Sequence, residues 1–183
     1  AARADTITSQ GSCTVAQYRR RSNDGPQEVP EFEERVVCIN RCSKVVKGGR
    51  NFHFSALVVV GDRKGRVGVG YGKANEVADA IRKGGELARR AIVTIPMHGA
   101  TLTHAVIARF RGGRVIIRPA SEGTGIIAGG GMRAVLELGG VKDVLAKSLG
   151  SKNPVNVVKT TMKAISLLRT KEQILAKREL AAL

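Results

Sequence analysis

Residues 35–46 (RVVCINRCSKVV) are rich in β-branched side chains and read as a strand. Lys47, Gly48, Gly49 and Arg50 interrupt it as a hairpin turn, where glycine supplies the positive φ such turns need. Residues 52–60 (FHFSALVVV) form a second strand. The period of two puts Phe52, Phe54, Ala56 and Val58 on one side and His53, Ser55 and Leu57 on the other. Residues 61–65 (GDRKG) turn the chain again, and residues 66–71 make a third strand. The spacing then changes to that of a helix in NEVADAIRKGGELARRAIV. Asn75 is the expected cap; Val77, Ile81, Gly84 (or Gly85) and Ala88 form the inner stripe, and Arg82, Lys83, Glu86, Arg89 and Arg90 face out. Three antiparallel strands backed by one helix give a small α+β module.

Residues 94–103, with Pro96 and Gly99, read as a connector and domain boundary. Beyond it, residues 104–110 and 114–118 alternate as strands around the Arg111-Gly112-Gly113 turn. Residues 132–138 form a short helix stopped by Gly139 and Gly140, and residues 141–149 favour a strand. Asn153-Pro154 starts a helix with Val155, Val158, Met162 and Ile165 as its apolar stripe. Residues 170–183 read as a final helix able to dock on a partner. Residues 1–33 lack periodicity and read as an extended or disordered lead-in, without the apolar core of a signal peptide.

Charge adds a function class. The 183 residues carry 31 Lys and Arg against 15 Asp and Glu, a net charge of +16. The excess lies in the folded middle: residues 35–90 hold thirteen basic and four acidic groups, residues 1–34 only four and six. Within residues 41–73, eight side chains are Lys or Arg and only Asp62 is acidic. Cations gathered on hairpin turns point to a polyanion, nucleic acid above all. With four Phe, two Tyr and no Trp, contacts to phosphates and grooves are expected rather than base stacking. Arg41, Lys44, Lys47 and Arg50 around the first turn, Arg63, Lys64 and Arg66 around the second, and His53 and Lys73 beside them are the candidate contacts. No stretch is long and apolar enough to span a membrane.

The glycine clusters do not carry enzyme chemistry. Residues 68–73 (GVGYGK) imitate a phosphate loop, but the first glycine is replaced by Val67, and Ala74 stands where magnesium needs a hydroxyl. Gly123, Gly125 and Ala128 have dinucleotide spacing, yet Asp143 opens its element instead of closing a strand against a ribose. His53, His98 and His104 lie in no nucleophile motif. Cys13, Cys38 and Cys42 have neither disulfide nor zinc spacing, and read as buried small hydrophobes in a reducing compartment. No cofactor, metal or small-molecule substrate is expected.

Two strings, SKVVKGGRNFHFSALVVVGDRKGRVGVGYGKANEV and RPASEGTGIIAGGGMRAVLELGGVKDVLAKSLGSKNPVNVVKTT, resemble the family of the fifth protein of the bacterial small ribosomal subunit. The likeness runs from about residue 34 to residue 168, and it weakens over residues 96–111 and beyond residue 170. It implies an α+β fold of two domains. Residues 34–96 would form a double-stranded-RNA-binding-like β-β-β-α module, residues 97–169 a four-stranded sheet with two helices, and residues 170–183 a helical tail. It also implies a structural role in the small subunit, with contacts to rRNA, to the fourth and eighth small-subunit proteins, and to mRNA where it enters. A part in decoding accuracy follows, in the cytoplasm, with an organellar ribosome as the alternative. Ser43, Lys44, Lys47, Gly48, Gly49 and Arg50 match the family's rRNA-binding hairpin. Gly125 and Arg133 match its contact with the fourth protein. Nothing carries over onto residues 1–33.

Overall fold

The computed structural model describes residues 32–178. Most of the expected lead-in, with Cys13, and residues 179–183 of the expected tail helix lie outside the described residues.

Strands β1 (Glu33–Val46), β2 (Gly49–Gly61), β3 (Arg66–Ala74) and β4 (Ile92–Thr94) form one antiparallel sheet in chain order. The expected β-β-β-α order is present, with two corrections. Helix α1 (Val77–Arg90) stops before Ile92, and the residues read as its last turn reverse onto β3 as β4. Its cap position is Glu76, without a side-chain hydrogen bond, rather than Asn75. Ala74 still pairs with Phe54 in the sheet, so Asn75 is spent on leaving the strand.

Gly68, Gly70 and Gly72 recur every second residue, so all three face α1. A Cβ on them would stand 2.1 Å from the carbonyl oxygen of Ala88, 2.0 Å from that of Gly84 and 2.1 Å from that of Ala80. Helix and strand therefore meet backbone to backbone. The buried residues of α1 are Ala80, Gly84, Gly85 and Ala88, while Val77 and Ile81 of the expected stripe are half-buried.

Both faces of the inner part of β2 are covered, which explains its unbroken apolar run. Ala56, Val58 and Val60 pack toward α1, while Leu57 and Val59 join Val67 in a larger core with residues of the second half of the chain.

A two-residue hairpin, β5 (Met97–His98) and β6 (Thr101–Leu102), occupies the expected connector. The second sheet has the order β7 (Val106–Phe110), β8 (Gly113–Pro119), β10 (Val144–Ser148), β9 (Ile126–Ile127), with β9 parallel to β10. Helices α2 (Gly130–Leu138) and α3 (Pro154–Leu167) pack on one side of it. Asn153 caps α3 by accepting from the Val155 amide at 3.0 Å. Thr160 and Thr161 are buried there with their hydroxyls donated to carbonyls one turn back. Helix α4 (Lys171–Lys177) opens with a Thr170–Gln173 capping box. The architecture is α+β in two modules.

Cys38 and Cys42 are free and half-buried, less enclosed than expected. Burial pushes the Cys38 thiol up, away from the reactive thiolate.

Candidate nucleic-acid interface

Strands β1 and β2 extend beyond the rest of the sheet as a two-stranded arm, since β3 pairs β2 only as far as Phe54. The turn is built on Gly48, at φ +95°. Arm residues are exposed, including Val45 at 72% and Phe52 at 44%. The register puts Lys44 on the face of Asn51 and His53, and Arg41, Ser43 and Arg50 on the face of Phe52 and Phe54. Lys47 stands at the tip. Arg41 lies over the Phe52 ring at 4.4 Å, which holds its guanidinium in place without neutralising it. Among the described residues, no carboxylate pairs with Arg41, Lys44, Lys47 or Arg50. The arm thus carries positive charge on both faces and at its end. Lys73 pairs in register with Ser55 and joins the face of His53 near the arm's root.

The second basic turn is different, because two of its three cations meet acids of the chain itself. The Asp62 side chain is only 2% exposed and accepts from the amides of Lys64 at 2.8 Å and Arg66 at 3.0 Å. It also accepts from Arg66 Nε at 2.6 Å, and that guanidinium lies 5.0 Å from the Phe32 ring. Burial alone would raise the Asp62 carboxyl. The Arg66 guanidinium and the two amides outweigh it and hold the carboxyl below the usual aspartate range. Arg63, held at φ +55°, is paired with Glu33 through Nε at 3.0 Å and Nη2 at 2.8 Å. The turn's backbone is docked as well: the Arg63 amide donates to the Leu138 carbonyl at 2.9 Å, and the Gly65 amide to that of Gly139 at 3.0 Å. Gly140, at φ +83°, leaves the room, because a Cβ there would meet the Arg63 carbonyl at 2.1 Å. This turn fastens the first module to the end of α2. Of its three cations, Lys64 alone has no side-chain partner among the described residues. The two turns end the 13-residue β2, so they stand roughly 40 Å apart.

Sequence reasoning missed the clamp at the root of the arm. Glu33 binds Arg63, Glu34 binds Arg89 of α1 at 2.8 Å, and Arg35 pairs with Glu137 of α2. Three consecutive residues tie β1 to the β2–β3 turn, α1 and α2, while the outer half of the arm carries no such tie among the described residues. The only signal was two acids opening a strand in an otherwise basic module.

Gly125 and Arg133 come together. Gly125, at φ +72°, donates its amide to Asp143 at 2.8 Å, and Arg133 Nη2 donates to the Ile126 carbonyl at 2.9 Å. Buried Asp143 therefore holds this loop, a role that the rejected dinucleotide reading did not suggest. Arg133 also borders a groove of about 830 Å³ between β1 and α2, lined in part by Arg35, Val36, Gly131 and Lys152. His98 lies in β5 of the connector, and His104 just after it, with its Nδ1 3.1 Å from the Thr103 hydroxyl. Among the described residues there is no group of three His, Cys, Asp or Glu placed to hold a metal ion, and no helix is long and apolar enough to cross a membrane.

Comparison with known proteins accounts for both modules. The family model described as "Ribosomal protein S5, N-terminal domain" matches residues 32–96, and that of "Ribosomal protein S5, C-terminal domain" matches residues 108–178. The small ribosomal subunit protein uS5 of Protochlamydia amoebophila is 53% identical over 163 residues, covering 86% of this chain and 98% of that protein. Its namesake in Chloroflexus aurantiacus is 55% identical over 153 residues, covering 84% and 86%. That of Idiomarina loihiensis is 57% identical over 150 residues, covering 82% and 90%. On two family matches that together span most of the chain, and on identities above one half with near full-length relatives, the chain belongs to the ribosomal protein S5 family.

Proposed function

We propose that this chain is a structural, non-catalytic constituent of the small ribosomal subunit, anchored to its rRNA by the β1–β2 arm. The observation that carries the reading is the arm itself: a folded, exposed hairpin with unneutralised cations on both faces, in a chain whose relatives are named as small-subunit proteins. Arg41, Ser43, Lys44, Lys47, Gly48, Gly49, Arg50 and His53 are its contact residues, with Lys73 at the root and Lys64 at the far turn. Glycines at the tip let backbone amides approach phosphate oxygens closely. Arg63 and Arg66 build the second turn and serve RNA only through the field they add. The ribosome of a bacterial cytoplasm is the setting.

Reversal of Lys47 and Arg50 together, Lys47→Glu with Arg50→Glu, removes two cations from the tip. Affinity for small-subunit rRNA is expected to fall at least about tenfold, and the slope of log affinity against log salt to flatten by about 1.5. Sedimentation of tagged variants in lysate at low and high salt checks the whole reading. Wild-type chain should travel with the small subunit at both salts and the double variant should be depleted from it. Equal incorporation would remove the arm from the reading.

The Gly125–Arg133 surface is proposed to face the fourth small-subunit protein, with the tail toward the eighth and the mRNA path nearby. If that protein–protein surface parts when the subunit closes on a correct codon pair, weakening it lowers the barrier for wrong pairs as well. Arg133→Leu is expected to raise misreading in a reporter assay several-fold while rRNA affinity stays within about twofold. Unchanged accuracy counts against this placement.

A further inference from the structure

The second sheet has helices on one side only. Val115 and Ile117 of β8 are buried on that side. The register defines the other side: Arg109 lies opposite Arg114, Ile107 opposite Ile116, Ile116 opposite Lys147, and Arg118 opposite Leu145, which is also paired with Ile127. Arg109, Arg118 and Lys147 are exposed, and so are three of the aliphatics, Ile107 at 53%, Ile127 at 54% and Leu145 at 39%. Not one strand position on this face is acidic.

One feature of the face asks for an external anion. Arg109 and Arg114 are directly opposed on antiparallel strands, an arrangement that repels, and among the described residues no carboxylate pairs with either. A phosphate bridging the two guanidiniums turns the repulsion into attraction, since each presents a fork of donors suited to its oxygens.

The other dimension of the face selects the kind of polyanion. Arg114 and Arg118 are four residues apart on β8, about 13 Å. One strand of a nucleic-acid duplex presents a charge about every 3.4 Å of axis, so the face spans about four phosphates. The face carries no aromatic residue, so it offers no stacking platform for bases, while the aliphatics between the cations offer a flat apolar surface to sugar edges.

We propose that the outer face of the second sheet is a second contact for rRNA backbone, with Arg109, Arg114, Arg118 and Lys147 as its phosphate ligands. It lies on a different module from the β1–β2 arm. The inference rests on the reading of the chain as an rRNA-binding ribosomal protein, and it adds a site to it.

The test uses the full chain and deproteinised small-subunit rRNA over a series of salt concentrations. Arg109→Gln, Arg118→Gln and Lys147→Gln are combined in one variant, because all three side chains are exposed and their loss leaves the core intact; thermal melting verifies folding. The slope of log affinity against log salt should flatten by about 2 to 3, from a loss of about 0.7 to 0.9 per phosphate contact. The arm variant should flatten it by its own increment, and the combined variant by the sum. A triple variant that binds with the wild-type slope while the arm variant loses its increment overturns the second site and leaves the function standing. A triple variant that binds rRNA normally but fails to enter the subunit shows that the face docks on a protein, which also overturns the proposal. If the wild-type chain itself does not prefer this rRNA over an unrelated RNA of equal length, the functional reading falls and the second site with it.

Discussion

Gly70→Ala is expected to destabilise the protein by about 3 kcal/mol, the upper end of the range for overpacking a closed interior. The added methyl carbon would lie 2.0 Å from the Gly84 carbonyl oxygen and 2.6 Å from the Ala88 amide nitrogen. Both neighbours are backbone, so no side chain can rotate aside. α1 must retreat by more than an ångström, and its contacts at Gly68 and Gly72 loosen together, because the same helix closes on all three. For a chain of this size the melting temperature should drop by roughly 6–12 °C. Gly49→Ala is the control: a Cβ there meets nothing within 4 Å and the backbone is not left-handed, so its melting point should stay close to wild type. If Gly70→Ala melts within about 2 °C of wild type, the backbone-on-backbone contact is not what fixes the helix to the sheet.

This contact also shows what the sequence could disclose. The three glycines of β3 were visible and were weighed as a phosphate loop. Their period of two, set against small residues of a helix, marks a packing surface, but only once helix and strand are known to face each other. The order of the first module was legible because residues 47–50 and 61–65 break strong strand patterns with turn residues. β4 was not, since Ile92 and Val93 continue a helical run and become a strand only by pairing with Val67 and Gly68. β9 has two residues and no pattern of its own; its parallel pairing with β10 creates it.

The candidate site divides along the same line. The cations at the tip of the arm are local features, so composition and turn chemistry located them. The fate of Arg63 depends on Glu33, thirty residues away, and that of Arg66 on an aspartate that the fold buries. Count and spacing cannot distinguish a cation offered to solvent from one already paired. The basic face of the second sheet had its alternation in plain view, yet only the register of three strands sets Arg109 beside Arg114.

Asp62→Ala should cost about 2 kcal/mol, because it removes the buried carboxylate that accepts from the amides of Lys64 and Arg66 and pairs with the Arg66 guanidinium. The loss extends past the turn. Arg63 and Gly65 donate to the Leu138 and Gly139 carbonyls, so a loosened turn frees the first module from the end of α2. Amide hydrogen exchange at Lys64 and Arg66 should therefore speed up more than at Val58 or Val59 in the middle of β2. The pH dependence has a definite sign. The folded carboxyl titrates below the unfolded one, which is near about 3.9, so on acidification the unfolded chain takes up the proton first. The contribution of Asp62 is complete above the unfolded value and is lost as pH falls through the folded one. Urea midpoints of wild type and Asp62→Asn should differ most near neutrality and converge below about pH 4. A gap that stays constant from pH 7 to pH 3 would mean that the carboxylate's charge is not what organises the turn, and that the two amides alone hold it.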